Sequence, residues 1–288
     1  MKSLNEEIND ILTASTGKAN KKSALAKLGL TNEEVNRLIA TVEVGSTRAS
    51  FTFGVEMECF VNRGAISTAA ARTGMPYEYQ GYNHNDGHAY FKFVSDSSVR
   101  GMADPIECVS PVLKGADGKK MLKNACKTLN DAGANVNQTC GLHVHIGAAK
   151  LTAKQYINVF VNYALLENVI STFMAPSRRN NEYARPISNN AGQLARCRSI
   201  EDVRYLLGTR YRTINAESYL RHKTIEFRQH GGTTNFDKIF NWVTFVGKLV
   251  IWSKTHRLTE RVASIDEIPF LTAKEKEFFK GRAAQFNR

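Results

Sequence analysis

Three triplets in this 288-residue chain share one pattern: Glu56-Met57-Glu58, His143-Val144-His145 and Glu226-Phe227-Arg228 each set an apolar residue between two side chains able to bind metal or phosphate. In a β-strand successive side chains point to opposite faces, so each triplet would place both polar groups on one face and the apolar residue on the other. Gathered in one sheet, the three strands would form a face of carboxylates, imidazoles and a guanidinium, which is what a metal-nucleotide site requires. An antiparallel sheet with one solvated face alternates polar and apolar residues as a matter of course, so no triplet marks a site by itself. Context separates these from casual surface residues. In Cys140-Gly-Leu-His-Val-His-Ile-Gly147 the imidazoles sit in an otherwise apolar stretch, and the flanking glycines allow close approach of a ligand. Glu56 and Glu58 follow Gly54 along one strand face, and neighbouring carboxylates repel unless a cation lies between them.

Further carboxylates occur in similar settings, with Asp96 in Phe93-Val-Ser-Asp-Ser-Ser98 and Glu107 in Pro105-Ile-Glu-Cys-Val-Ser-Pro111. Oxygen-rich clusters of this kind suit Mg²⁺ or Mn²⁺, and an imidazole shifts the preference toward Mn²⁺ or a mixed site. Arg228, two residues beyond Glu226, offers a planar fork for phosphate on the same face. Carboxylates, metals and an arginine together describe phosphoryl transfer, in which positioning and charge neutralisation do most of the catalytic work. A metal-dependent hydrolase or peptidase is the rival use of these residues. There is no HExxH motif for it, and it has no evident need of Arg228 or of so many acidic groups. Cys108 and Cys140 lie beside site residues without a base and third partner, so they read as small core side chains.

Positioning these groups falls to a mixed set of strands and helices. Residues 1–44 read as a small helical segment, with apolar positions around Ile8 and Leu12, a second run over 23–28, and a capping box at Thr31-Asn-Glu-Glu34 opening a third helix through Val35, Leu38 and Ile39. After a hinge at Val44-Gly-Ser-Thr47, the main domain begins with a strand over 51–58, whose Phe51, Phe53, Val55 and Met57 share one face. Short strands follow at 90–94, 106–109 and 143–146, and another at 224–230. Helices are expected at 67–73, from an Asp117 cap to about 132, from a Thr152 cap through Phe173, and over 236–253, with Trp242 and Trp252 on the apolar face of the last. The stretches 75–88 and 175–220 read as polar loops, and His84 and His88 as surface residues of the first. Mixed order and hairpin-scale spacing favour an α+β fold with an antiparallel sheet backed by helices. The division expected is 1–44 as a helical appendage and 45–288 as the catalytic domain.

The net charge of +12 suits a polyanionic partner, and nucleotide phosphates, nucleic acid and acidic polypeptide all fit it. Basic residues are dispersed, with no zinc-finger, RNP or helix-turn-helix signature. A third reading is therefore a non-catalytic nucleic-acid-binding protein on a degenerate enzyme fold. No membrane span or signal peptide is visible, which makes the cytoplasm the expected address. The five scattered cysteines argue against a disulfide framework.

Taken in order, Phe53-Gly-Val-Glu-Met-Glu58, Asp96-Ser-Ser98, Glu107-Cys-Val-Ser-Pro111, Cys140-Gly-Leu-His-Val-His145, Ser177-Arg-Arg-Asn-Asn-Glu-Tyr-Ala-Arg-Pro186 and Thr224-Ile-Glu-Phe-Arg228 resemble the amidoligase family. That family is a branch of the glutamine synthetase and glutamate-cysteine ligase superfamily, and the resemblance covers about residues 50–255. It implies a curved, mainly antiparallel sheet like a glutamine synthetase catalytic domain, holding ATP and two or three Mg²⁺ or Mn²⁺ ions. A carboxylate would be phosphorylated to an acyl phosphate, and an amine would displace phosphate to give an amide. Small-molecule or peptide acids and amines are the substrates implied, and the positive charge leans toward ones carried on an anionic macromolecule. By the same resemblance Glu56, Glu58, Asp96, Glu107, His143 and Glu226 would be metal ligands, with Asp96 standing where the glutamine synthetase pattern has Glu. His145 would contact phosphate, Arg228 would clamp the transferring phosphoryl group, and Arg178, Arg179 and Tyr183 would contact nucleotide or substrate carboxylate. The loop carrying those three would be able to close over the site as a lid.

Overall fold

The computed structural model of the chain describes residues 4–13, 18–36, 38, 51–81, 87–95 and 98–286. Alternating residues build one sheet of eight strands: β1 (Thr52–Phe60), β2 (Tyr77–Tyr79), β3 (Phe91–Val94), β4 (Pro105–Val109), β5 (Leu113–Lys114), β6 (Gly141–Gly147), β7 (Ile214–Asn215) and β8 (Thr224–Gly231). They lie in the order β2-β3-β4-β1-β6-β8-β7, with β5 also paired to β1. The β2–β3 pairing is parallel and the others are antiparallel. The α+β class and the mostly antiparallel sheet are as expected.

The sheet has one dry face. Phe53, Val55, Met57 and Cys59 of β1, Phe91 and Phe93 of β3, and Val144 and Phe227 of β6 and β8 enter a single large core. Helices cover it from that side. The longest, Ala153–Thr172, begins at the expected Thr152 cap, where Gln155 completes a capping box, and Tyr163 packs its ring 5.6 Å from that of Phe227. Residues on nearly every side of this helix are buried, the polar Asn158, Asn162 and Glu167 among them. The Phe236–Trp252 helix lies beside it and buries Trp242 and Trp252.

Several elements differ from the sequence reading. The 75–88 stretch contains β2, whose parallel pairing with β3 is non-local and leaves no hairpin signature. The helix at Gly115–Asp131 is capped at Lys114, so Asp117 sits in its first turn and not at the cap. The helix expected at 67–73 starts at Arg63, where Asn62 accepts from the Gly64 and Ala65 amides. The polar 175–220 segment folds into short helices and β7. A C-terminal helix, Ala273–Phe286, has no clear apolar stripe; it docks through Phe279, 4.6 Å from the Phe173 ring, and through a Lys248–Glu275 ion pair of 2.6 Å.

At the N-terminus, helices Leu4–Thr13 and Lys18–Lys27 precede helical residues 32–36, and the Thr31–Glu34 capping box forms as expected. Leu25 and Val35 pack with Ile8, Ile11, Leu30 and Leu38 in a small cluster distinct from the main core. The expected hinge at 44–47 lies outside the described residues. Cys59, Cys108, Cys126 and Cys140 are buried free thiols, and Cys197 is half-buried. Among the described residues no helix is long and apolar enough to cross a membrane.

One buried acid ties the segment after the long helix to that helix. Glu167 of the long helix accepts from the Ile187 amide at 2.8 Å, the Ser188 amide at 2.6 Å and the Thr213 hydroxyl. Burial raises its pKa, against the pull of those donors. Glu167→Ala would leave all three donors unmet, and denaturant unfolding should report a loss of about 3 kcal/mol, with Glu167→Gln intermediate. A change under about 0.5 kcal/mol would contradict this role.

Candidate active site

Register brings the triplets together. Glu56 of β1 pairs with His143 of β6, His145 of β6 pairs with Glu226 of β8, and Glu58 of β1 pairs with Glu107 of β4. All six lie on the face away from the core helices. Between the pairs Val144–Phe227 and Leu142–His230 the β6–β8 register shifts, so His143 alone faces both Arg228 and Gln229. Such a bulge re-aims side chains. Here Gln229 turns to Tyr163 in the core, 2.6 Å away, while Arg228 Nη1 lies 3.5 Å from His143 Nδ1.

Glu56 is the centre of the cluster. Its Oε2 is 3.0 Å from His143 Nδ1 and its Oε1 is 3.3 Å from His145 Nε2. His143 also stands 3.6 Å from Glu226 and, through Nε2, 3.7 Å from Glu58. Glu226 is held from two sides, by Arg228 Nη1 at 2.5 Å and Asn215 Nδ2 at 2.6 Å. Thr224 Oγ1 engages His145 Nδ1 at 2.9 Å, which turns Nε2 toward Glu56. Two sets of potential ligand atoms result, each lying within 4.8 Å of one another: Glu56, His145 and Glu226 in one, Glu56, Glu107 and His143 in the other.

Electrostatics follow from burial and these contacts. Burial opposes ionisation of Glu56, yet the His145 and His143 imidazoles override it and hold the carboxyl well below its ordinary value. Burial likewise works against a charged His145, and Glu56 reverses this and raises its pKa. For Glu226, burial is outweighed by Arg228 and the two imidazoles, so its pKa falls.

The donor set fits a divalent cation. His145 Nε2 is buried without a hydrogen-bond partner, and it stands 3.3 Å from a Glu56 carboxylate oxygen. A metal would replace the proton on His145, which is how ligand sites couple to pH.

Not every expected residue joins these sets. Glu58 Oε2 accepts from the Gly141 amide at 2.5 Å, so Glu58 stands beside the cluster and outside both groups of three. A side chain at Gly141 would crowd it: a Cβ there would lie 2.9 Å from His143 Nε2 and 3.3 Å from Glu58 Oε2. Arg178 is buried, donates to the Arg228 carbonyl at 2.7 Å and keeps its Nε without a partner. Arg179 turns away to the carbonyls of Met174 and Thr172, ending the long helix. Tyr183 contributes its carbonyl to Arg228 Nε at 3.4 Å, and its exposed ring packs on Tyr211. Asp96 and His84 lie outside the described residues. The sequence reading missed Asn215 and Thr224. Thr224 continues the alternation of Glu226 and Arg228, a signal within reach, whereas Asn215 arrives only through β7 pairing.

A mostly antiparallel sheet thus gathers carboxylates, imidazoles and arginines on one face, in an arrangement that could hold a metal ion. The family described as "Putative amidoligase enzyme" matches residues 49–250, and the chain belongs to that amidoligase family. No curated protein matches it. Among solved structures it is similar to a bifunctional glutathione synthetase from Pasteurella multocida, at 12% identity and a TM-score of 0.39, covering 87% of this chain and 49% of that one. The chain thus spans about half the length of that protein.

The shifted pKa values set a pH window for the metal-free protein. The raised His145 contributes stability fully below its ordinary 6.5, lost as pH climbs through the raised value; the depressed Glu56 contributes above its ordinary 4.5, lost as pH falls through the depressed one. Denaturant unfolding with chelator present should show wild type exceeding His145→Asn by most between pH 4.5 and 6.5, with the gap closing at alkaline pH. A gap independent of pH would contradict the pairing.

Proposed function

We propose that the protein is an ATP-dependent carboxylate–amine ligase, forming an amide through an acyl phosphate at a multi-metal site. The observation that carries this reading is the pair of ligand sets sharing Glu56, flanked by the buried guanidiniums of Arg228 and Arg178. Hydrolysis needs a metal-activated water and has no evident use for two arginines beside the ligands. Transfer of a phosphoryl group needs its charge surrounded, which ligands and arginines together provide.

Glu56, Glu107, His143, His145 and Glu226 would hold Mg²⁺ or Mn²⁺, with Glu58 positioning the Gly141 end of β6. Bound there, such ions neutralise phosphate charge and polarise the transferring group. His145 thereby has a metal-ligating role in addition to the phosphate contact that the family resemblance implies. Arg228, fixed by Glu226 and the Tyr183 carbonyl, presents its remaining N–H groups to phosphate. A carboxylate oxygen of the acid attacks the γ-phosphorus and ADP leaves. The amine nitrogen then attacks the acyl carbon, inorganic phosphate departs, and the amine loses a proton. In this reading the sheet shares the curved architecture of glutamine synthetase catalytic domains. Residues 45–288 form the catalytic domain, and residues 1–44 an appendage, supported by the separate Leu25–Val35 cluster.

Hydroxylamine in place of the amine makes the test independent of the natural acceptor. With ATP, Mn²⁺ and a panel of amino acids and dicarboxylates, the protein should release phosphate in step with hydroxamate. Glu56→Gln and Arg228→Lys should each lower that rate by about 100-fold or more. Absence of ATP binding by calorimetry with Mn²⁺ present would overturn the reading.

A further inference from the structure

The segment between the long helix and β8 carries a surface that the ligase chemistry above does not use. From Arg178 to Lys223 the chain holds nine arginines and one lysine against four acids, a surplus equal to half the net charge of +12. Four of the arginines are engaged elsewhere. Arg178 lies in the site, Arg179 holds helix carbonyls, Arg204 pairs with Glu217 at 2.8 Å, and Arg212 Nε donates to the Leu207 carbonyl at 3.1 Å. Two of the acids are taken as well, Glu217 by Arg204 and Asp202 by the Arg198 and Ser199 amides, which leaves Glu182 and Glu201. Arg185 and Arg210 are exposed, and neither has a carboxylate partner among the described residues.

Backbone contacts set these two arginines among tyrosines, outward of β8. The Arg185 amide donates to the Tyr211 carbonyl and its carbonyl accepts from the Thr213 amide, each at 3.0 Å, while the Thr213 carbonyl accepts from the Arg228 amide of β8. The Tyr183 and Tyr211 rings meet edge to face at 5.7 Å, and the Arg210 guanidinium lies 5.2 Å over the Tyr211 ring. The Arg212 bond to Leu207 brings in the end of the Ile200–Leu207 helix. Tyr205 on that helix is 94% exposed, and Tyr183 is 38% exposed. Arginine forks match phosphates and stack on planar groups. Bare tyrosine faces are electron-rich, so they repel carboxylates and accept the flat faces of nucleobases. An acidic polypeptide would use the arginines and leave the rings idle, and a duplex would offer phosphates with its bases covered. An unpaired strand uses both kinds of group.

We propose that Tyr183, Arg185, Tyr205, Arg210 and Tyr211 form a docking surface for single-stranded RNA, with phosphates on the guanidiniums and bases on the tyrosine rings. RNA is the nucleic acid whose bases ordinarily stand unpaired, in loops and at ends. Ring faces read no base edges, so the surface takes the strand with little regard to sequence. Binding there needs neither ATP nor a metal at the Glu56 cluster, and it stands whether or not the ligase reading does.

The probe is a fluorescently labelled oligouridylate of about 15 nucleotides, near the span of such single-strand sites, titrated with full-length protein and followed by anisotropy over a series of salt concentrations. Wild type should bind it at least about tenfold more tightly than the same strand in a duplex. Tyr205→Ala should weaken binding by about fivefold or more, the worth of one stacked base, and Tyr205→Phe should keep it. Arg185→Gln and Arg210→Gln should each lower the slope of log affinity against log salt by about 0.7, one phosphate contact on a single strand. All of these side chains reach the surface, and an unchanged unfolding midpoint in each variant ties the loss to binding. Equal affinity for the duplex, displacement of the strand by polyglutamate at matched charge, tighter binding of an oligodeoxythymidylate of the same length, or full affinity in Tyr205→Ala would each overturn the assignment, as would no binding at low salt.

Discussion

The antiparallel register of β1 against β6 sets Glu56 opposite His143 and leaves His145 one row further along. Because strand side chains have a period of two, a slip of one residue would turn both imidazoles into the core and bring Leu142 and Val144 to the polar face. The apolar residues between the polar ones prevent this. Met57, Val144 and Phe227 are fully buried, and each holds its neighbours on the opposite face. Core packing and site assembly are thus one constraint: every methylene that locks the dry face also fixes where a carboxylate stands.

What that register concentrates would be unfavourable without a cation. Glu56, Glu107 and Glu226 converge with two imidazoles, and in the metal-free protein the charge is met by the proton on His145 and by Arg228, both of which the neighbouring carboxylates favour. Supports behind the first contacts keep the groups in place: Asn215 on Glu226, Thr224 on His145, the Gly141 amide on Glu58. Glu167, on the far side of the sheet from the cluster, ties down Ile187, Ser188 and Thr213, whose carbonyl in turn accepts from the Arg228 amide at 2.8 Å. The segment carrying Tyr183 is therefore anchored at both the long helix and β7.

The sequence shows most clearly those parts that local alternation encodes. Glu56, Glu58, His143, His145, Glu226 and Arg228 announce themselves by period two, and the Thr152 cap by its place ahead of an apolar run at helical spacing. Parts that depend on non-local pairing stay hidden: the parallel β2–β3 contact, Asn215 on the two-residue β7, and the shift between Leu142 and Val144 that separates Arg228 from Gln229. The Ala273–Phe286 helix is silent for another reason, since it is held by buried Phe279 and by scattered polar ties from Glu275, Lys276 and Lys280 and not by a stripe. Arg179 looked equal to Arg178 in sequence; adjacency on a short 3₁₀ turn sends one toward β8 and the other to the helix end.

Whether this face is a metal–nucleotide site is best decided by anomalous diffraction from crystals of the full chain grown with Mn²⁺ and a non-hydrolysable ATP analogue. The account predicts manganese within coordination distance of Glu56 and of at least one of His143 and His145, with the terminal phosphate directed at Arg228. Nucleotide bound elsewhere, or saturating Mn²⁺ with no manganese in contact with Glu56, would contradict it.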